Sequence, residues 1–321
     1  MSLGTATLGI APLEADADRL IGRALDLGIN VVDTANTYGD QARFDRPGAP
    51  PADQRASAEE IVGRAIRGRR SNIVLTSKVM EPVGTDVNER GLSRRHIMAQ
   101  IERSLKRLNT DHLDVYYAHH PDPDTPFDET MRAFDDLIRQ GKIRYCALST
   151  YPAWEVMEAL AIAEKLGASA PVCVQVGYNI ASRAVEADLV PLCLRHGLSL
   201  TVFGPLAGGL FAGPSVLDRE FVGSRRWGGQ GFSERDLGLA EQLDALSKAH
   251  GIPHAVMALG WLMSRPAVAS AIIGPETIDE LEANVSASDL NFSPELLEAI
   301  DQIGRPPKPT WPGLPPRGAI K

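Results

Sequence analysis

The sequence has few cysteines, few aromatic residues and no excess of basic charge. Its 321 residues include three cysteines, and Phe, Trp and Tyr together make up 6%. Lys and Arg number 33 against 41 Asp and Glu, which gives a net charge of −8. A nucleic-acid partner would require a basic face, so this balance argues against one. The cysteines lie in apolar stretches without metal-site spacing, which indicates buried, reduced thiols (Cys146, Cys173 and Cys193).

The sequence also contains no apolar run near the roughly 20 residues that span a membrane, and no signal peptide opens it. Together with the reduced cysteines, these absences predict a cytoplasmic protein with no membrane partner. The 44% of hydrophobic and 23% of charged residues are typical of a globular protein. A chain of this length can form two domains, but α/β barrels of the same size form one.

Eight short apolar runs alternate with amphipathic stretches. Most runs are rich in β-branched residues and nearly continuous in apolarity, as in parallel strands that are covered on both faces. They are residues 2–9, 29–34, 72–79, 113–120, 143–149, 172–179, 198–205 and 268–274. This alternation predicts an α/β fold, a single-domain (β/α)₈ TIM barrel with long βα loops. The alternative is a doubly wound open sheet, but no G-x-G-x-x-G fingerprint follows the first run.

Helix signals lie between the runs. Ser93 is a plausible N-cap for a helix that would bury Ile97, Ile101, Leu105 and Leu108 on one face. Ser57 precedes Glu60 by three residues, which is the pattern of a capping box. A further helix is expected to start at Asp128 and to stop at Gly141.

Two long connections, residues 39–56 and 211–233, interrupt the regular spacing. Loops of this length in a compact domain are usually functional. Residues 304–318 are rich in proline and cannot form a regular helix. The sequence therefore predicts a barrel over residues 1–303 and a Pro-rich tail over residues 304–321.

Polar side chains end several of the predicted strands. Asp33 ends the second run and Tyr38 follows it, Lys78 lies near the end of the third, and His119 and His120 end the fourth. Active sites of parallel barrels lie at the carboxyl ends of the strands, so these side chains are expected to converge.

This combination suits proton donation to a carbonyl oxygen. Tyrosine has an unperturbed pKa of about 10, and an adjacent Lys78 ammonium is expected to lower the pKa of Tyr38. Asp33 would keep a buried Lys78 charged, and a histidine would supply a second donor to the oxygen. With neither a nucleophile nor a metal, the group fits a reaction in which a carbonyl carbon gains hydride while its oxygen gains a proton.

A metal site is the alternative for the histidine pair. His119 and His120 could bind a metal together with Asp33, as in a barrel hydrolase. Such sites gather further histidines and carboxylates from other strand ends. The remaining strand ends offer poor ligands, so the sequence favours no metal: Ser149, Gln175, Asn179 and Phe203.

Six ordered segments resemble the signature segments of the aldo-keto reductases. They are residues 28–40, 73–79, 113–149, 174–179, 203–210 and 271–285, and the similarity covers nearly the whole chain. The His-x-Pro-Asp-Pro motif that starts at His119 is similar to that of a bacterial branch. The resemblance implies a (β/α)₈ barrel that binds NADP(H) or NAD(H) without a Rossmann domain, and a catalytic tetrad of Asp33, Tyr38, Lys78 and His119.

The resemblance also implies a set of cofactor-binding positions. Two of them depart from the family pattern, because Thr150 replaces an asparagine and Phe203 replaces a tyrosine that stacks on nicotinamide. The implied cofactor-binding residues are Ser149, Thr150, Gln175, Phe203, Gly204, Pro205, Leu206, Gly208, Gly274, Glu276, Glu280 and Asn284.

The cofactor preference depends on the segment from Gly274 to Asn284. It contains no Lys or Arg but carries Glu276 and Glu280, so a ribose phosphate would meet carboxylates. This chemistry slightly favours NAD(H), although the family usually takes NADP(H). Arg225 and Arg226 of the 211–233 connection could supply the missing charge.

The substrate is expected to be a small carbonyl compound or alcohol, and a sugar is one candidate. Arginines in the 39–56 connection would suit a polyhydroxylated or anionic substrate, although that connection could equally be a solvent-exposed decoration. Candidate pocket residues are His120, Phe44 and Trp227. The alternative function is a cofactor-binding regulatory subunit with little turnover, since the family includes channel-associated members.

Overall fold

In a computed structural model of the chain, eight parallel strands close into a barrel in sequence order. The structure describes residues 1–227 and 229–306, without the side chains of residues 226 and 227. Residues 307–321, which include most of the predicted Pro-rich tail, lie outside the described part. The strands are β1 (Ser2–Gly4), β2 (Val31–Asp33), β3 (Val74–Val79), β4 (Leu113–Ala118), β5 (Ile143–Ser149), β6 (Cys173–Gly177), β7 (Ser199–Phe203) and β8 (Val268–Ile273).

Helices cover the barrel, which confirms the predicted (β/α)₈ architecture and removes the open-sheet alternative. The α-helices are α1 (Glu14–Asp26), α2 (Ala58–Ala65), α3 (Arg94–Leu108), α4 (Phe127–Arg139), α5 (Ala153–Leu166), α6 (Leu189–His196), α7 (Pro214–Leu217), α8 (Glu234–His250), α9 (His254–Met263), α10 (Ile278–Val285) and α11 (Pro294–Ile303). Short 3-10 helices span Ala42–Phe44, Ala52–Gln54, Arg70–Asn72, Ala184–Glu186, Ala207–Gly209, Gly223–Trp227 and Ser286–Asp289. No helix in the described part of the chain is long and apolar enough to cross a membrane.

The core lies mainly between the strands and the surrounding helices. Successive strand side chains alternate between this layer and the barrel interior, so Leu75 and Val79 join the outer core while Lys78 points inward. A small separate cluster of Tyr117, Ala147 and Cys173 lies beneath the inward-facing polar groups. This alternation places polar side chains inside the barrel without interrupting the apolar layer.

The helix signals in the sequence are confirmed. Ser57 and Glu60 form a capping box at α2, and the Ser93 side chain accepts a hydrogen bond from the His96 amide at the start of α3. The predicted face of α3 is buried. Helix α4 begins one residue earlier than expected and ends at Arg139, two residues before Gly141, whose φ is +74°.

The first strand is shorter than predicted. The apolar run over residues 2–9 continues past Gly4, but β1 ends there, and the Thr5 amide makes a further backbone hydrogen bond to β2, to the Asp33 carbonyl. The Thr5 hydroxyl donates to the Asp33 carbonyl at 2.9 Å, which holds the chain there at the mouth of the barrel.

The two long connections are more ordered than the sequence indicated. Residues 39–56 wrap around the buried Arg55 guanidinium, which donates to the carbonyls of Gly39 and Gln41 and to the Asp45 carboxylate at 2.7–2.9 Å. The 211–233 connection contains α7 and a 3-10 helix. Both are folded segments rather than open loops.

Candidate active site

The structure brings the four predicted tetrad residues together at the carboxyl ends of β2, β3 and β4. The Lys78 ammonium donates to the Asp33 carboxylate at 2.6 Å and lies 3.4 Å from the Tyr38 hydroxyl. The same hydroxyl lies 3.4 Å from Nε2 of His119. The Tyr38 oxygen is therefore between a cation and an imidazole.

Strand register explains why Asp33 meets Lys78. Asp33 pairs with Thr76, and Thr76 and Lys78 share the inward face of β3. The Thr76 hydroxyl and the Gln175 amide both donate to Oδ1 of Asp33, at 2.7 and 2.9 Å. Lys78 is fully buried and Asp33 is 4% exposed, so the ion pair is shielded from solvent.

Burial and neighbouring charges act in opposite directions on these groups. Burial alone would lower the pKa of Lys78, but the combined effect of Asp33 and Tyr38 outweighs burial and the pKa is raised, so Lys78 is charged. Burial raises the pKa of the Tyr38 hydroxyl, and Lys78 only opposes that rise. The prediction that Lys78 lowers the pKa of Tyr38 below its usual value is therefore wrong for the net effect, although the contribution of Lys78 has the predicted sign.

His119 is a neutral imidazole. Burial and the nearby Lys78 ammonium lower its pKa to about 2, so it carries no charge near neutral pH. A neutral ring offers one N–H donor, and Nε2 is the nitrogen that faces Tyr38.

A buried polar cluster holds the segment that carries Tyr38, and the sequence argument missed it. Arg107 of α3 donates to the Asn36 carbonyl at 2.9 Å, and the Asn36 side chain donates to Gln100 at 3.2 Å. Glu59 lies 3.5 Å from the Arg107 guanidinium and accepts from the Ser77 hydroxyl at 2.6 Å. This cluster therefore links the strand of Lys78 to the segment of Tyr38.

One cavity of about 490 Å³ extends from the tetrad to α10. Asp33, Tyr38 and His119 line one end, and the turn after β1 contributes Gly4 to Thr7. All of the cofactor-binding residues implied by the resemblance line it except Glu276: Ser149, Thr150, Gln175, Phe203, Gly204, Pro205, Leu206, Gly208, Gly274, Glu280 and Asn284.

The middle of the cavity offers an aromatic face and close backbone approach. The Phe203 ring is 40% exposed, which is unusual for a phenylalanine at the end of a barrel strand. A Cβ built on Gly204 or Gly274 would meet nothing within 4 Å, so a ligand can approach the backbone there. Gly204 has φ of +61°, and the Asn179 side chain fixes its carbonyl at 3.0 Å.

Thr150 adopts a conformation that threonine disfavours. Its φ is +62°, in the left-handed region where a β-branched residue is strained and asparagine is tolerated. The Thr150 hydroxyl donates to the Ser149 carbonyl and contacts Nδ1 of His120, both at 2.7 Å. The threonine is thus turned toward His120.

The far end of the cavity contains a basic residue that the sequence argument missed. Arg219, in the connection after β7, lines the cavity and pairs with Glu280 at 2.5 Å and with Glu276 at 3.6 Å. The second oxygen of Glu280 accepts from the Glu276 amide at 2.8 Å. Arg225 is exposed and does not line the cavity, so Arg219 is the described arginine of this connection that reaches the carboxylates.

The substrate end of the cavity differs from the expected set of pocket residues. His120 lines the cavity, whereas the buried Phe44 packs under the Arg43 guanidinium and is not among the lining residues. The Trp227 side chain lies outside the described part.

Glu81, just after β3, contacts His120 Nε2 and Arg43 at 3.1 Å each. The hydrogen bond from His120 lowers the pKa of Glu81 to about 2, so it is ionised. A chain of contacts from Arg43 through Glu81 thus joins the 39–56 connection to His120.

Comparison with known proteins agrees with this geometry. The family model described as "Aldo/keto reductase family" matches residues 1–305. The chain is 34% identical to the uncharacterized oxidoreductase YrpG of Bacillus subtilis (strain 168), over 94% of this chain and 91% of that protein. It is 31% identical to a probable voltage-gated potassium channel subunit beta of Arabidopsis thaliana, over 92% and 89% of the two chains. It is also 31% identical to the aryl-alcohol dehydrogenase GME11368 of Pestalotiopsis microspora, over 89% and 72%.

The family match spans nearly the whole described barrel, and oxidoreductases are among the relatives. The chain belongs to the aldo/keto reductase family.

Proposed function

We propose that the protein is a nicotinamide-dependent oxidoreductase that reduces an aldehyde or ketone, or oxidises the matching alcohol or sugar hydroxyl. The observation that carries this proposal is the Tyr38 hydroxyl, which lies 3.4 Å from both the Lys78 ammonium and His119 Nε2 at one end of the cavity. A proton donor beside a fixed cation and a neutral donor suits a carbonyl oxygen that gains charge during reduction.

The cavity fits a nicotinamide dinucleotide. Its open backbone at Gly204 and Gly274 allows close approach of a diphosphate, and the exposed Phe203 ring offers a face for a nicotinamide ring. Ser149 and Gln175 would hold the carboxamide, and Asn284 the adenine. Bound in this way, the reduced cofactor supplies the hydride.

Each tetrad residue then has a separate task. Tyr38 gives its proton to the substrate oxygen, or takes it back in oxidation. The neutral His119 donates one hydrogen bond that orients the oxygen without adding charge. Lys78, held charged by Asp33, stabilises the tyrosinate that remains after proton transfer.

The contacts of Glu280 support a preference for NAD(H). Arg219 is already paired with Glu280 and Glu276, so its charge is compensated before any ribose phosphate arrives. A carboxylate at this point can accept a hydrogen bond from a ribose hydroxyl and repels a phosphate. We therefore expect Glu280→Ala, which removes the closer of the two partners of Arg219, to raise kcat/KM for NADPH relative to NADH by at least tenfold. If neither Glu280→Ala nor Arg219→Ala changed the ratio of kcat/KM for NADPH and NADH, this assignment of the cofactor preference would be contradicted.

The function as a whole is tested by turnover. Purified protein is assayed with a panel of aldehydes, ketones and sugars and with all four cofactors, alongside Tyr38→Phe. We expect turnover with at least one carbonyl class and its loss in the variant. A tyrosine variant as active as the wild type would refute the assigned proton donor.

Three relatives named as potassium channel beta subunits support a second candidate, a cofactor-binding regulatory subunit. This candidate predicts tight binding of NAD(P)H, measured by fluorescence, with negligible turnover of every carbonyl tested. Sustained turnover that depends on Tyr38 favours the enzyme instead.

A further inference from the structure

Three potential metal ligands meet at the substrate end of the cavity. Glu81, His119 and His120 each present a ligand atom, and these atoms lie within 4.8 Å of one another. The sequence argument against a metal considered Asp33 as the third ligand. The structure commits Asp33 to Lys78 and brings Glu81 to the histidines instead.

His120 is oriented as a metal ligand would be. The Thr150 hydroxyl donates to the Ser149 carbonyl, so it accepts from Nδ1–H of His120 at 2.7 Å. Ligating histidines usually donate their second ring nitrogen to such a partner, which fixes the tautomer. The other ring nitrogen, Nε2, faces Glu81 Oε1 at 3.1 Å, and a cation bound between these two atoms would take the place of the proton that they share without it.

The spacing is close to that of a zinc site. Zn–N and Zn–O bonds of about 2.0–2.1 Å put neighbouring ligands of a tetrahedral site roughly 3.3 Å apart. The Glu81–His120 pair already has this separation. The ligand atoms lie within 4.8 Å of one another, so the widest separation must shorten by at most about 1.5 Å to reach it. The His120 side chain is 41% exposed and has room to make that adjustment.

His119 supplies the third ligand. It is 8% exposed, and its Nδ1 has no hydrogen-bond partner among the described residues. Its ring stacks on that of His120 with centroids 4.7 Å apart and an interplanar angle of 9°, so the exposed His120 ring must turn for the lone pairs of both histidines to point at one ion.

The surrounding charges decide which cation fits. Arg43 shares the Glu81 carboxylate at 3.1 Å, and Lys78 is compensated by Asp33. Arg43 binds Oε2 of Glu81, so Oε1 is the oxygen that faces the histidines and could bind an ion, and two of the three ligands are imidazoles. Such a set suits Zn²⁺, Co²⁺ or Cu²⁺ and is poor for Mg²⁺ or Ca²⁺, which require oxygen ligands.

We propose that Glu81, His119 and His120 form a binding site for a divalent transition-metal ion of the Zn²⁺ class, and that the bound ion blocks the position of the substrate oxygen. The ion would hold the His119 ring, whose Nε2 lies 3.4 Å from the Tyr38 hydroxyl, and so would compete with the carbonyl compound for this end of the cavity. The binding depends on the geometry alone, whereas the block on turnover rests on the proposed function.

Binding is measured without turnover. Purified wild-type protein competes with a chromophoric chelator for Zn²⁺, and the visible absorption of added Co²⁺ reports its coordination. We expect one equivalent of ion, with at least tenfold weaker binding in Glu81→Gln and in His120→Gln. His112→Gln is the matched control, because His112 forms a surface pair with Asp111 at 2.6 Å, and it should bind as the wild type does. Melting curves identify any variant that fails to fold.

Two results would overturn the site: no Zn²⁺ binding by wild type up to 100-fold molar excess, or binding that Glu81→Gln and His120→Gln leave intact. The block is tested with the best carbonyl substrate of the panel, where Zn²⁺ should raise KM and a chelator should reverse the effect. Zn²⁺ binding that depends on Glu81, in a protein without turnover, would uphold the site and refute the proposed function. Turnover that is insensitive to the bound ion would refute the block.

Discussion

Replacing Lys78 with methionine separates the structural role of the buried ion pair from its chemical role. Methionine has a similar length and no charge, so the change removes the partner of Asp33 and keeps most of the packing. Removing one partner of a buried ion pair costs about 3–5 kcal/mol, because the other charge is left uncompensated. Asp33 would keep two donors, the Thr76 hydroxyl and the Gln175 amide. We therefore expect a loss near the lower limit, about 3 kcal/mol.

The second step is to remove the uncompensated charge of Asp33 as well. In Lys78→Met with Asp33→Asn, the neutral amide oxygen can still accept from Thr76 and Gln175, and no uncompensated carboxylate remains. We expect the double variant to recover about 2 kcal/mol of the loss. Its kcat should nevertheless remain about 10²–10⁴-fold below wild type, because no cation stabilises the deprotonated Tyr38. Stability is thus restored while activity is not.

Urea unfolding followed by circular dichroism gives the stabilities, with equal m-values as the check that two-state comparison is valid. Arg69→Met is the matched control, since Arg69 pairs with Asp26 at the same kind of distance, 2.7 Å, with both side chains about half exposed. That change should cost less than about 1 kcal/mol. A double variant no more stable than Lys78→Met, or a Lys78→Met loss as small as that of the control, would show that charge compensation does not govern this pair.

Three other substitutions test the site. Tyr38→Phe should lower kcat about 10²–10⁴-fold while fluorescence titration shows cofactor affinity within about twofold of wild type, and a loss of affinity instead would assign Tyr38 to binding. His119→Asn should lower activity and improve stability in acid. Between about pH 2 and 6.5 the unfolded chain binds a proton at His119 that the native protein excludes, so acid destabilises the wild type. The urea midpoint of the wild type should therefore fall relative to that of the variant between pH 7 and pH 5. Thr150→Asn should raise the free energy of unfolding by about 1 kcal/mol by relieving the strained φ, and no gain would mean that its hydroxyl contacts compensate the strain.

The sequence predicted the parts of the site that strand periodicity controls. Asp33, Lys78 and His119 follow apolar runs, and parallel strands bring their carboxyl ends to one rim whatever the sequence between them. The same reasoning located helix starts at Ser57 and Ser93, where capping is a local property of the chain. These predictions needed no knowledge of distant contacts.

Contacts between connections were beyond that reasoning. Arg219 is separated from Glu280 by 61 positions, and a connection of irregular structure carries no period from which its direction follows. Glu81 lies three residues after Lys78, and its pairing with His120 depends on how the chain leaves β3. A carboxylate soon after a strand end was the available signal for Glu81, and nothing in the sequence indicated Arg219 over Arg225.

The direction of the net pKa shift of Tyr38 could not be predicted from the sequence either. The sequence identifies Lys78 as a neighbour that lowers the pKa, but the opposing effect of burial depends on everything packed around the ring. The end of β1 was missed for a simpler reason. The run over residues 2–9 includes Leu8, which is buried although it lies beyond the strand, so apolarity alone does not show where pairing ends.

The two 3.4 Å distances at the Tyr38 hydroxyl bear on how the site works. Both exceed the roughly 2.7–3.2 Å that is usual for hydrogen bonds between nitrogen and oxygen, so the hydroxyl is committed neither to Lys78 nor to His119. The surrounding segment is nevertheless fixed by hydrogen bonds of Asn36. Its carbonyl accepts from Arg107, its side chain donates to Gln100, and its backbone amide donates to the Lys78 carbonyl at 3.2 Å. A rigid segment with a loosely bonded hydroxyl leaves room for a substrate oxygen to complete the geometry, and catalytic hydrogen bonds often tighten only when substrate binds. The backbone is thus set in advance, while the final hydrogen bonds of Tyr38 depend on the ligand.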